Sequence, residues 1–422
     1  MLARTPTPKR MHMMTTHTLP NGLQLATEHV SGAGSVSLHL LLPAGSMCDT
    51  DETDGCAALF LEMLFRGTKT MNTKALTHAF DAAGMQRSGS VGTHYIRLSA
   101  TTTTDHLRTA MGLLLDVATA PSFPDSELNA AREGCLQGLA HLADDPQQEI
   151  SFSLRSQHLN RPFHRSGLGT TEGLNGVTIG DLYERLASRC VPQGTIMAIA
   201  GGVETTECVE ILTSLTTNWT GAIARDSSQS PGPRGRILIE RPTSQVHLAM
   251  AWDAPPAGHD DVARERLLSV SLGGTTSGRL FTEARQRRSL CYSIGTRYAR
   301  TTEQGWVTLH ASTTPENAQE LVQTSLDEIT RVASDLGSDE IERASRTIIS
   351  SLTMQGESTE ARAAYMAISL AQTGECLSLQ QRIEQIERVS TEDVVKYAKR
   401  YTELEPTIVA IGPAGSLVFE NL

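Results

Sequence analysis

The chain repeats its own pattern at an interval of about 210 residues, and a repeat of that length constrains the fold more than any single motif. The apolar stretch 35–42, closed by the breaker Pro43-Ala44-Gly45, is echoed by Gln245-Val246-His247-Leu248-Ala249-Met250-Ala251-Trp252. Thr314-Pro315-Glu316-Asn317 opens a helix as Thr104 does, and Ser338-Asp339-Glu340-Ile341 repeats the helix start Asp125-Ser126-Glu127-Leu128. Each copy mixes strand and helix periods. The expectation is therefore an α+β fold of two homologous domains from an internal duplication, each a mostly antiparallel sheet with helices on one face. Between the copies, residues 225–235 contain Asp-Ser-Ser-Gln-Ser-Pro-Gly-Pro and read as a linker. The predicted divisions are a disordered leader over 1–16, an N-terminal domain over 17–224, a linker over 225–236 and a C-terminal domain over 237–422.

Local signals fill in the first copy. Asn21-Gly22 marks a hairpin turn within 18–27. From 105 to 119, Leu107, Met111, Leu114, Leu115 and Ala118 keep helical spacing until Pro121 and Pro124 stop it. A second helix is predicted over 125–142 and a buried strand over 195–202. The acidic loop with Asp49, Asp51, Glu52 and Asp54 reads as a solvated lead-in to a helix, since acids suit a helix amino terminus.

Composition then removes whole classes of function. With 39% hydrophobic and 20% charged residues the chain is globular, and no apolar run approaches the ~20 residues of a membrane-spanning helix. Membrane insertion is not expected. A net charge of −11 disfavours nucleic acid, whose binding rests on clustered Lys and Arg. The seven cysteines are scattered and never spaced Cys-x-x-Cys, so they read as reduced thiols. That usage fits a bacterial cytoplasm, with the periplasm and the mitochondrion left open. No two of the thirteen histidines stand four apart, and Gly-x-Ser-x-Gly is absent.

Two stretches carry chemical information. The first is Gly55-Cys56-Ala57-Ala58-Leu59-Phe60-Leu61-Glu62-Met63-Leu64-Phe65-Arg66-Gly67-Thr68. It resembles the signature helix of the pitrilysin/insulysin superfamily of zinc peptidases, in its processing-peptidase-like branch, where Gly-x-Ala-His-x-x-Glu-His-Met-Leu-Phe-Lys-Gly-Thr is usual. In that register the two zinc histidines fall on Ala58 and Glu62, and the catalytic glutamate on Leu61. The third zinc ligand, a glutamate on the following helix pair, falls on Gly138. Positions i and i+4 share a helix face and can hold one metal between imidazoles, yet the side chains here do not offer that set. The family's Asn-Ala substrate edge also falls on Arg87-Ser88, which reads as a lost edge.

The second stretch runs from Leu272 to Ser293, through Gly273-Gly274-Thr275-Thr276-Ser277-Gly278-Arg279-Leu280-Phe281. It is similar to the family's second-half signature, Gly-Gly-x-x-Ser-x-Arg-Leu-Phe-x-x-x-Arg-x-x-Arg-Gly-Leu-x-Tyr-Ser. The resemblance maps the substrate-contacting Arg and Tyr onto Arg285 and Tyr292. It implies a half-clam and a zinc-free subunit of a heterodimeric metallopeptidase, with no cofactor of its own. A zinc-binding homologous subunit would be the partner and a peptide the substrate, Arg285 and Tyr292 acting in trans. A purely structural pseudopeptidase and a homodimeric peptide-binding module are the alternatives.

Overall fold

The computed structural model describes residues 14–223 and 229–419. One sheet holds β1 (Met14–Thr18), β2 (Gln24–His29), β3 (Ser35–Leu42), β4 (Gln86–Val91), β5 (Ile96–Thr103) and β6 (Ile196–Gly201), in the order β1-β2-β6-β3-β5-β4. The other holds β7 (Arg236–Glu240), β8 (Val246–Ala254), β9 (Ser293–Arg300), β10 (Gly305–Thr313) and β11 (Thr407–Gly412), in the order β7-β11-β8-β10-β9. Apart from β1, the two sheets are wired alike. The β2–β6 and β7–β11 pairs are parallel and the remaining pairs antiparallel, as a duplicated, mostly antiparallel unit requires.

The first half carries helices α1 (Cys56–Leu64), α2 (Thr73–Ala82), α3 (Leu107–Thr119), α4 (Asp125–Ala143), α5 (Pro146–His158), α6 (Thr171–Gly176), α7 (Ile179–Arg189) and α8 (Thr205–Thr216). The second carries α9 (Val262–Gly273), α10 (Ala318–Asp335), α11 (Ser338–Gln355), α12 (Thr359–Thr373), α13 (Leu379–Glu387) and α14 (Thr391–Ala398). Helix starts follow their caps. Asn72, Asp145, Thr170, Thr178, Ser358, Ser378 and Ser390 each accept a backbone N–H of the turn they begin.

Strand β3 shows how the layers form. Val36, Leu38, Leu40 and Leu42 enter one core with Phe60, Met63, Met111 and Leu114 from the half's own helices. Complete burial of each such leucine is worth roughly 1.5–3 kcal/mol. The alternate residues Ser37, His39 and Leu41 are buried too. That second face is covered by α12, a helix of the other half: Ala363, Met366, Ala367 and Leu370 pack on Ala26, Leu41, Ile196, Ala198 and Ala200. In return α5 crosses to the second sheet and sets Ile150 and Leu154 against Ala249, Ala251, Val409 and Ile411. Alanines on the sheets let each helix approach closely, and burial on both faces explains why 196–200 and 408–411 are apolar without alternation.

Polar contacts fasten the exchange. Ser37 Oγ lies 2.9 Å from Thr359 Oγ1, buried Glu28 is ion-paired with Arg362, and His158 Nδ1 lies 2.9 Å from Thr407 Oγ1. So the expected helices on one face are present, and each sheet's other face is closed by a single helix from its twin. Two boundary expectations meet the structure only in part. Met14, Thr15 and Thr16 belong to β1, whereas 1–13 lie outside the described residues. Of the expected linker, 225–228 lie outside them, while Ser230 bridges Arg161 and the Arg234 N–H donates to the Gln157 carbonyl at 2.8 Å.

Met366→Ala and Leu154→Ala, each in a fully packed exchange contact, are expected to lower unfolding free energy by about 2–5 kcal/mol in urea titrations. Losses under about 1 kcal/mol for both would show the exchanged helices to be accessory.

Candidate functional site

Helix α1 is held in place from its first turn. Gly55 sits at φ 110°, and a side chain there would strike Leu174 at 2.8 Å, so this position needs glycine. The orphan N–H groups of Gly55 and Ala57 donate to the Asp49 carboxylate at 3.1 and 3.2 Å. Asp49 is in turn ion-paired with Arg185 of α7, whose guanidinium also donates to the Ala44 and Gly45 carbonyls at 2.8 and 3.3 Å. Burial pushes the Asp49 carboxyl up, and Arg185 and the two N–H bonds pull against it. The acidic loop is thus a solvated lead-in only at Asp51 and Glu52, which are exposed. Its first acid is a buried cap, and Asp51 pairs with Arg165 at 2.7 Å.

Below this cap, Cys56, Ala57, Leu59, Phe60, Met63 and Leu64 face the core. Ala58, Leu61 and Glu62 share the opposite face, the first two half-buried and Glu62 exposed. Leu61 leans on β4, where a Cβ on Gly89 would come within 2.6 Å of its Cδ1. Helix α4 packs across α1 and places Gly138 in the open, with nothing within 4 Å of where its side chain would be. One turn before Gly138, the Cys135 thiol is pushed up to about 11 by burial and by the Glu62 charge, so it stays protonated. One exposed carboxylate, a methyl, an isobutyl and a glycine do not fit a zinc ion. Among the described residues no group of three His, Cys, Asp or Glu is placed to hold a metal.

The neighbouring edge differs from the sequence expectation. Strand β4 pairs only with β5 and leaves its outer side open, with Gln86, Arg87, Ser88 and Gly89 exposed. The edge has its strand; what has changed is the side chains. Arg87 turns its guanidinium over the rings of Phe80 and Phe65, 4.6 and 5.3 Å from their centroids.

In the second half, α9 ends at Gly273 and a short turn leads into a π-helix, Phe281–Arg287, in which the Arg288 N–H reaches back five residues to the Glu283 carbonyl at 3.2 Å. Such widened turns are rare and recur at functional sites. The arginines here are used unequally. Arg287 and Arg288 pair with Glu283 at 2.9 and 3.0 Å, and Arg279 clamps Glu340 at 2.6 Å and Asp335. Arg285 has no carboxylate partner among the described residues. Its guanidinium carbon lies 4.8 Å from the ring centroids of both Phe281 and Tyr292. Tyr292 is 76% exposed, just before edge strand β9, with its N–H donated to the Ser312 carbonyl at 3.3 Å. The structure thus brings Arg285 and Tyr292 together. It leaves them in a different half from Ala58, Leu61, Glu62 and Gly138. Phe281 was not singled out by the sequence reading, although its position four residues before Arg285 could have suggested it.

Two descriptions of one family match the chain in succession: Insulinase (Peptidase family M16) over 24–170 and Peptidase M16 inactive domain over 176–348. The chain belongs to peptidase family M16. This M16 chain is 24% identical over 397 residues to an uncharacterized zinc protease of Rickettsia bellii, covering 94% of this chain and 96% of that protein. It is 22% identical over 412 residues to the uncharacterized zinc protease YmxG of Bacillus subtilis, covering 96% and 100%. Its fold matches a peptidase M16 inactive domain from Pseudomonas fluorescens with a TM-score of 0.85 at 19% identity, covering 95% and 98%. A protease from Helicobacter pylori matches with a TM-score of 0.86 at 16% identity, covering 96% and 100%. Among the described residues no helix of this M16 chain is long and apolar enough to cross a membrane.

The loop before α1 makes a pH prediction. Burial, and then the Asp49 charge, push the Asp54 carboxyl up to about 6, and one of its oxygens has no hydrogen-bond partner. The folded state therefore holds this proton more tightly than the unfolded chain does, and its stabilising contribution is lost as pH rises from about 4 to about 6. Asp54→Asn, neutral throughout, should flatten that part of the stability profile and raise stability at pH 7. An unchanged slope in urea titrations across this range would refute the assignment.

Proposed function

We propose that this chain is the zinc-free subunit of a heterodimeric M16 peptidase, lending Arg285 and Tyr292 to a peptide held at a homologous partner's zinc site. The observation that carries the reading is the contrast between the two halves. On α1 and α4 the positions that the family uses for metal chemistry hold a methyl, an isobutyl, a single exposed carboxylate and a glycine, short of the three ligands a catalytic zinc needs. On the π-helix, a guanidinium is kept free of carboxylates beside an exposed phenol.

Stacking between two rings orients the Arg285 guanidinium without consuming its N–H donors, as an ion pair would. Those donors can hold substrate carbonyls. The Tyr292 O–H can donate to a carbonyl oxygen as negative charge develops on it, which is stabilisation that grows toward the transition state. The zinc, and the base that works with it, belong to the partner in this reading. The bacterial cytoplasm is the proposed compartment, and the ligand is a peptide.

Reconstituted with a zinc-binding M16 subunit from the same source, Arg285→Ala and Tyr292→Phe should each lower kcat by about 10²–10³ without changing heterodimer formation by size-exclusion chromatography. Wild-type turnover in both variants would identify the chain as a scaffold instead.

A further inference from the structure

On the face of the first sheet opposite α1, where the two halves meet, lies a cavity of about 400 Å³. Leu41 and Val91 line it from the sheet, Ile368 and Ala371 from α12, and Thr301 from the turn between β9 and β10. Ile368 is 41% exposed, among the few large apolar side chains of the described residues that face solvent. The cavity is mostly apolar, yet one strong charge opens onto it. Arg97 donates from Nε to Ser90 Oγ at 3.2 Å, and it has no ion pair among the described residues. The carboxylate nearby, Glu303, is already engaged by His94 Nε2 at 2.8 Å. Tyr95 lines the same space, and among the described residues its hydroxyl makes no hydrogen bond.

An apolar chamber with a few convergent polar groups is the form of a small-molecule site, and its size lies within the range of about 300–1,000 Å³ that such sites occupy. A half-buried guanidinium with spare donors selects a carboxylate over a neutral amide, because the charge-assisted hydrogen bonds are the strong ones. We propose that this cavity binds a carboxylate carried on an apolar body, the carboxylate on Arg97 and Tyr95 and the apolar part against Leu41, Ile368 and Ala371. The free end of a peptide whose last residue is apolar has that chemistry, and so does a medium-chain fatty acid. Because Thr301 comes from the other half, an occupant touches both halves and ties them together. The site needs neither a partner subunit nor zinc, so it stands or falls apart from the function proposed above.

Calorimetric titration of the full chain alone tests this with three probes: N-acetyl-leucine, N-acetyl-leucinamide and decanoate. At least one carboxylate should saturate at one per chain and raise Tm, while the amide binds about 10- to 100-fold more weakly than N-acetyl-leucine or not at all. Arg97→Gln should abolish the preference for the carboxylate, and Ile368→Asp, at the solvent-facing rim where folding is spared, should weaken every probe that binds. Saturation by N-acetyl-leucine identifies a peptide end as the occupant, and saturation by decanoate alone a free amphiphile. The proposal is overturned if neither carboxylate saturates, or if the amide binds as tightly as N-acetyl-leucine.

Discussion

The reciprocal exchange of α5 and α12 is the contact on which the rest of the molecule depends. A sheet with one face on its own helices would leave Ala26, Ala198, Ala200 and Leu41 bare on the first half, and Ala249, Ala251, Val409 and Ile411 on the second. Neither half can bury that second face alone. By lending a helix each way, the duplicated units form one body, and the arrangement fixes where α1, the π-helix and the cavity at Arg97 stand. Duplication supplies the symmetry. The exchange makes the symmetry obligatory, because each borrowed helix is shaped for its twin's alanine-rich face.

Within that frame, α1 can lose its chemistry and keep its place. The contacts that hold it all point inward or to its first turn: Phe60, Met63 and Leu64 in the core, and the Asp49 carboxylate on the Gly55 and Ala57 N–H groups. Ala58, Leu61 and Glu62 take no part in them, so change on that face costs little stability. Leu61 even gains a contact, resting where Gly89 leaves room. The opposite holds on the π-helix. Arg285 and an exposed Tyr292 add little to the core, and a widened helical turn holds them side by side. In the proposed reading, that guanidinium and the exposed phenol beside it are there to hold a peptide.

Much of this was legible in the sequence because it follows from periodicity. The apolar stretch at 35–42 and its echo at 245–252 marked β3 and β8, helical spacing marked α3, and the echo at 338 of the pattern at 125 supported the duplication. The register of the degenerate helix could be read because Gly55, Met63, Leu64, Phe65, Gly67 and Thr68 keep their letters while Ala58, Leu61 and Glu62 do not. What could not be read was long-range. Asp49 and Arg185 are far apart in the chain, and nothing local in either segment signals their pairing, so the loop looked merely acidic. The helix exchange was equally hidden: α5 offers only Ile150 and Leu154 as fully buried apolar residues, too few to say which sheet it covers. Arg87 and Ser88 looked like the loss of an edge, because a sequence displays side chains and an edge is made of backbone.

If the first half has given up its metal chemistry and the second has kept its own part, the chain alone should be metal-free and inert. Zinc content of the purified full chain, measured after equilibration with zinc and removal of the excess, alongside a peptide-hydrolysis assay with no second subunit present, addresses this directly. The expected result is zinc far below one per chain and no cleavage. One zinc per chain together with cleavage by the lone chain would contradict it.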